Sequence, residues 1–139
     1  MILLTPGLRC ALRANAITRH LAARDGEPEP DPVPLVKFFN PLGAATWIAT
    51  ELDADGDTVF GLADLGFGCP ELGAFSLSEI ASVRLPYGLG IERDIGFASI
   101  HPLSLWADTA RRVGSIILAE QLLNRSARPT DPELPPTGG

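Results

Sequence analysis

Between residues 46 and 65, two runs of β-forming residues flank a cluster rich in aspartate and glycine. No other feature constrains the chain as much. Thr46, Trp47, Ile48 and Thr50 carry the first run, within 46–52, and Val59, Phe60 and Leu62 carry the second, within 58–65. Branched and aromatic side chains suit a pleated surface. The residues between them, Asp53-Ala54-Asp55-Gly56-Asp57, have turn chemistry, so a β-hairpin is predicted.

Further strands are expected around this hairpin. Residues 35–39 are short and apolar apart from Lys37. Gly66-Phe67-Gly68-Cys69-Pro70 breaks the second run, and a short strand is expected at 73–75. Residues 91–97 alternate Ile91, Arg93, Ile95 and Phe97 against Glu92, Asp94 and Gly96, which fits a strand.

Helices are expected on both sides of these strands. Thr5-Pro6 offers a capping hydroxyl and then proline at the first helical position. Leu8, Leu12 and either Ile17 or Leu21 would face the core, with Arg9 and Arg13 toward water. That helix either stops at Asn15 or continues to Arg24. Ser76-Leu77-Ser78-Glu79 has capping-box spacing and predicts a short helix over 77–84 that buries Leu77, Ile80 and Val83. His101-Pro102-Leu103-Ser104 introduces the last helix, with Leu105, Trp106, Ala110, Val113 and Ile117 near one face. Gly114 would end that helix or weaken it. Trp47 and Trp106 are expected to be buried and to link the sheet to this helix.

Two segments resist packing. Residues 25–34 alternate acid and proline and are expected to be a solvated linker. Residues 126–139, rich in proline and ending in Gly138-Gly139, are expected to be a disordered tail. A chain of 139 residues supports one domain, here 1–125. The expected fold class is α+β, with a mainly antiparallel sheet of four or five strands and two or three packed helices.

Charge narrows the function. The chain has 17 Asp and Glu against 11 Lys and Arg, a net charge of −6, which disfavours a general nucleic-acid binder. The two cysteines, Cys10 and Cys69, supply neither a disulfide framework nor a four-ligand zinc site. Met1-Ile2-Leu3-Leu4 is cut short by Thr5-Pro6-Gly7 and does not read as a signal peptide, and no apolar run is long enough to span a bilayer. A cytoplasmic location, with no membrane contact, is the simplest expectation.

No complete motif carries chemistry. Asp53, Asp55 and Asp57 fit the first, third and fifth places of a calcium loop, but Gly56 falls at the fourth place, Thr58 takes the sixth, Asp64 replaces the bidentate Glu at the twelfth, and the flanks read as strands. Gly66-Phe67-Gly68 lacks its third glycine, with Glu71 in that place, so neither a nucleotide nor another cofactor is expected. His20, His101 and Cys69 lie in no catalytic pattern. The better catalytic candidates are acids beside the sheet: Glu51, Asp64, Glu71 and Asp94. Converged in a cleft they could act as an acid/base pair or hold a divalent cation. Dispersed, they would form ion pairs with Lys37, Arg84 or Arg93, or stabilise turns.

The order of several segments is familiar. It runs from Pro34-Leu35-Val36-Lys37-Phe38-Phe39 through Ala45-Thr46-Trp47 and Thr50-Glu51-Leu52-Asp53 to Phe60-Gly61-Leu62-Ala63-Asp64-Leu65-Gly66. Gly68-Cys69-Pro70-Glu71-Leu72-Gly73, Ser76-Leu77-Ser78-Glu79-Ile80, Ile91-Glu92-Arg93-Asp94 and Pro102-Leu103-Ser104 follow. Together they resemble the bacterial domain-of-unknown-function family numbered 2958, over residues 3–114. The resemblance implies no activity or catalytic residue. It does imply a bacterial source and accessory roles linked to plasmid-like or integrative mobile elements. Residues 115–139 extend beyond the family pattern.

The expected function is that of a small cytoplasmic accessory protein acting through a protein partner. The competing reading is a small enzyme using the acidic cluster, with a divalent metal. Nucleic-acid binding through Arg9, Arg13, Arg19 and Arg24 is a third, opposed by the overall charge.

Overall fold

In the computed structural model, which describes residues 2–127, the predicted hairpin lies at the centre of a five-stranded sheet. The strands are β1 (Val36–Phe39), β2 (Thr46–Leu52), β3 (Thr58–Asp64), β4 (Glu71–Ser76) and β5 (Glu92–Arg93). Their spatial order is β4-β3-β2-β1-β5, and every neighbouring pair is antiparallel. The hairpin turn closes through Asp53 N–H donating to Thr58 C=O at 2.8 Å, with Gly56 supplying the positive φ of 73°.

All seven residues of β2 are buried because both faces of the sheet are covered. Trp47, Ala49 and Leu52 join Val36, Phe38 and Val59 in one apolar cluster. Leu12 from α1 (Pro6–Arg24) and Leu77 and Ile80 from α2 (Leu77–Ser82) complete it. Ile48 and Leu62 point the other way, onto α3 (Leu103–Val113) and α4 (Ile116–Ala127), where they meet Trp106, Ala110, Ile116 and Ala119. Trp47 and Trp106 are 8% and 1% exposed, as expected, but they sit in separate clusters on opposite faces. They do not link the sheet to one helix.

α1 is continuous through Asn15, whose side-chain amide donates to Thr50 C=O at 2.9 Å and does not terminate the helix. Its inward stripe is Leu8, Leu12 and Ala16, while Ile17 and Leu21 are 48% and 43% exposed, contrary to expectation. Arg9 is exposed, as expected, whereas Arg13 is half-buried. Their guanidinium groups donate to Gly56 C=O at 3.0 Å and Leu52 C=O at 2.8 Å.

Other boundaries differ from the sequence reading: α2 ends at Ser82 and not at 84, because Val83 turns extended as its C-cap and is only half-buried. β4 is longer than 73–75, and β5 is far shorter than 91–97. There the Asp94 carboxylate accepts from Gly96 N–H and Phe97 N–H donates to Asp94 C=O, folding the chain into a turn. The expected last helix is split by Gly114, whose φ of 80° is a left-handed cap. The described residues therefore contain four helices. The expected tail overlaps this last helix at 126 and 127, and its remainder, 128–139, lies outside the described residues.

Gly61 marks the tightest point of the sheet. The β2–β3 register passes from Ala49↔Gly61 to Glu51↔Phe60, leaving Thr50 as a bulge. A Cβ at Gly61 would stand 1.9 Å from the Ile48 carbonyl oxygen, a backbone atom with no room to yield. Gly61→Ala is expected to lose about 3 kcal/mol or more, and Trp106→Ala about 3–5 kcal/mol, in urea denaturation. A wild-type midpoint for either would contradict this packing.

Candidate functional site

The bulge at Thr50 creates a local problem. β1 begins opposite Ala49, where Leu35 N–H donates to Ala49 C=O, so the rest of β2 has no strand on that side among the described residues. α1 fills the gap, and Asn15 and Arg13 satisfy the carbonyls of Thr50 and Leu52. This fixes the rotation of α1 and aims Arg19, on the same stripe as Leu12 and Ala16, at Glu51. Arg19 Nε donates to both oxygens of Glu51, at 2.8 and 3.0 Å. Glu51 is only 6% exposed, so the guanidinium is the counter-charge that makes its burial tolerable.

Arg19 and Glu51 form one wall of a cleft of about 520 Å³. Its apolar lining is Phe60 of β3 and Leu72 of β4, each 39% exposed, with Leu103 at the start of α3. The opposite wall is the run Glu29-Pro30-Asp31-Pro32. This part of the acid-proline segment is docked and is not free linker. Leu103 N–H donates to Pro32 C=O at 2.9 Å. Ser104 N–H donates to Asp31 Oδ1 at 3.0 Å, and the Ser104 hydroxyl donates to Asp31 Oδ2. Pro102, the N-cap residue of α3, has no side-chain cap bond, and Asp31 serves instead from 73 residues away.

Of the four acids singled out from the sequence, only Glu51 lines this cleft. Asp64 is 2% exposed; one oxygen accepts from Gly66 N–H at 2.8 Å and the other from Ile116 N–H at 3.0 Å, at the start of α4. Glu71 is exposed at the beginning of β4. Asp94 lies 3.5 Å from Lys37 Nζ, which also donates to Glu120 at 2.6 Å and so ties α4 to β1. Among the described residues, no group of three or more His, Cys, Asp or Glu side chains is placed to hold a metal ion. His20, Cys10 and Cys69 are exposed, and His101 Nε2 lies 3.2 Å from Leu123 C=O.

The aspartate-rich turn is occupied by its own bonds. Asp55 accepts from the Thr58 hydroxyl at 2.6 Å and from the amides of Thr58 and Asp57 at 2.8 Å each. The Thr58 hydroxyl, followed by those amides, holds the Asp55 carboxyl down at about 2, below its ordinary 3.8. Asp57 accepts from the Ser76 hydroxyl at 2.7 Å and from Ser78 N–H at 2.7 Å, which lowers its carboxyl as well.

Sequence reasoning missed Asp31, Ser104, Phe60, Leu72 and Arg19 as parts of one site. Arg19 alone left a signal: it follows Leu12 and Ala16 at helical spacing, which marks an inward position. The others meet only in the folded chain.

These features define a small α+β domain with a sheet covered on both faces and a lateral cleft. Residues 3–117 match the family described as protein of unknown function DUF2958, and the chain belongs to that family. No curated protein and no solved structure matches it. No helix among the described residues is long and apolar enough to cross a membrane.

Two outcomes are expected. Arg19→Met should cost about 2 kcal/mol, because it strands the buried Glu51 carboxylate. Adding Glu51→Gln should recover part of that loss in a double-mutant cycle; strict additivity would show that the pair is not coupled. The depressed Asp55 carboxyl contributes stability that is complete above 3.8 and is lost as pH falls toward about 2. Asp55→Asn should flatten the dependence of stability on pH within that window, measured by urea titration at each pH. An unchanged slope would contradict the bonding described for the turn.

Proposed function

We propose that this protein is a small bacterial accessory protein, cytoplasmic and linked to mobile elements, that acts by binding another protein through the lateral cleft. The observation that carries this reading is the makeup of the cleft. Phe60 and Leu72, apolar and each 39% exposed, line it side by side with the charged and hydroxyl side chains of Arg19, Glu29, Asp31 and Ser104. Protein-docking surfaces combine apolar and polar groups in this way. The bacterial source and the mobile-element link rest on the resemblance to the family, and the cytoplasmic location is supported by the free, exposed thiols of Cys10 and Cys69.

The other readings have less support. Catalysis by the acidic cluster needs convergent carboxylates, yet Asp64 is engaged at a helix start and Asp94 beside Lys37. Nucleic-acid binding needs free cations. Arg9, Arg13 and Arg19 are committed to the hairpin, and Arg24 lies 3.1 Å from Asp25.

Tagged wild-type protein should capture a specific partner from its native host, identified by mass spectrometry. Phe60→Ser and Leu72→Lys should each lose that partner while remaining folded. Magnesium, manganese, calcium and zinc should raise the melting temperature no more than they do in a Glu51→Gln plus Asp64→Asn control. A metal held by the folded state alone would add about 2.7 kcal/mol at a hundredfold excess over its dissociation constant. A metal-specific rise abolished by that double variant would replace this reading with the enzyme.

A further inference from the structure

The two edges of the sheet are built differently. β5 is two residues long, and so short an edge offers little to an incoming strand. β4 has six residues, Glu71-Leu72-Gly73-Ala74-Phe75-Ser76, with no proline or lysine and an unbroken register against β3. Apart from the charge of Glu71 at its first position, none of the devices that normally protect such an edge is present on it among the described residues.

The register shows which backbone groups are open. Leu77 N–H donates to Asp57 C=O at 2.9 Å, so the antiparallel alternation turns Phe75 and Gly73 toward β3. It turns the N–H and C=O of Leu72 and Ala74 away from β3, along the exposed edge. A Cβ built on Gly73 would meet nothing within 4 Å. Leu72 is at once an edge residue and part of the cleft lining.

The geometry points to β4 and the adjoining cleft as a docking site for an extended segment of another protein that alternates apolar residues with lysine or arginine. This deepens the cleft-binding reading above and rests on it. Main-chain bonds to Leu72 and Ala74 would add a sixth strand, and every second side chain of that strand would fall on the cleft face. With Glu51 paired to Arg19, the exposed carboxylates of Glu29 and Asp31 set the charge of the cleft, so the favoured side chain is cationic. A long basic side chain suits the cleft further, since its stem can lie on Phe60 and Leu72 while its head reaches Glu29 and Asp31. A second copy of this chain fits less well. Its β4 carries Glu71 and no cation, and pairing β4 with β4 would bring two acidic clefts together.

The test uses a fluorescein-labelled peptide, Lys-Val-Lys-Val-Lys-Val with blocked ends, titrated with the whole protein by polarisation. It is expected to bind, with the Glu-Val-Glu-Val-Glu-Val peptide at least tenfold weaker. Ala74→Pro removes an outward donor and should weaken the lysine peptide at least tenfold with little loss of fold. Two N-methylated peptides leave the protein untouched should that variant not fold. Methylation of alternate amides in one register should abolish binding, and in the other register spare it. Equal effects of the two registers, unchanged binding by folded Ala74→Pro, or preference for the acidic peptide would each overturn the inference. So would a wild-type dimer in sedimentation that Ala74→Pro converts to monomer, since a second copy would then occupy the edge. If no peptide binds but capture still depends on Phe60 and Leu72, strand addition fails and the cleft reading stands. If capture also fails, both fall.

Discussion

Backbone N–H and C=O groups along strand edges must find partners when they are buried, and the architecture of this protein depends on how it meets that demand. β1 is too short to cover all of β2, so the carbonyls of Thr50 and Leu52 take donors from Asn15 and Arg13 on α1. A helix docked by two such bonds has its rotation set. That rotation places Arg19 over Glu51 and turns Ile17 and Leu21 outward. Gly61 belongs to the same arrangement, since only glycine allows the close approach beside the Thr50 bulge. The wall of the cleft is thus a consequence of strand length.

Acidic side chains organise the helices in a comparable way. Asp57 meets the start of α2, Asp31 the start of α3 and Asp64 the start of α4. Unpaired amides and the helix dipole both favour a carboxylate there. Much of what looks in the sequence like a surplus of negative charge is therefore engaged in joining distant segments. For α3 the join also builds the site, because the strap that carries Asp31 is the far wall of the cleft.

What was legible in the sequence follows from this. β1, β2, β3 and the Asp53–Gly56 turn were readable because β propensity and turn chemistry are local properties. The Thr5-Pro6 start of α1 and the Ser76 cap of α2 were readable for the same reason. The antiparallel α+β class followed from the hairpin. The site was much less legible. Glu51 was named, but Arg19, Asp31, Ser104, Phe60 and Leu72 come from different elements, and spacing along the chain does not show who stands opposite whom. Asp64 and Asp94 were named for the right property, an acid beside the sheet, but sequence alone could not distinguish a helix cap or an ion pair from a reactive group. Residues 91–97 alternate like a strand, yet the Asp94 turn consumed most of it.

Native-state amide hydrogen exchange on the free protein, read residue by residue along β4, is the most direct measurement. A register fixed by Asp57 and Leu77, together with an outer edge that no strand among the described residues covers, predicts alternation: slow exchange at Gly73 and Phe75, and fast exchange at Leu72 and Ala74. Protection of Leu72 and Ala74 equal to that of Gly73 and Phe75 would contradict it, because the edge would then already be covered.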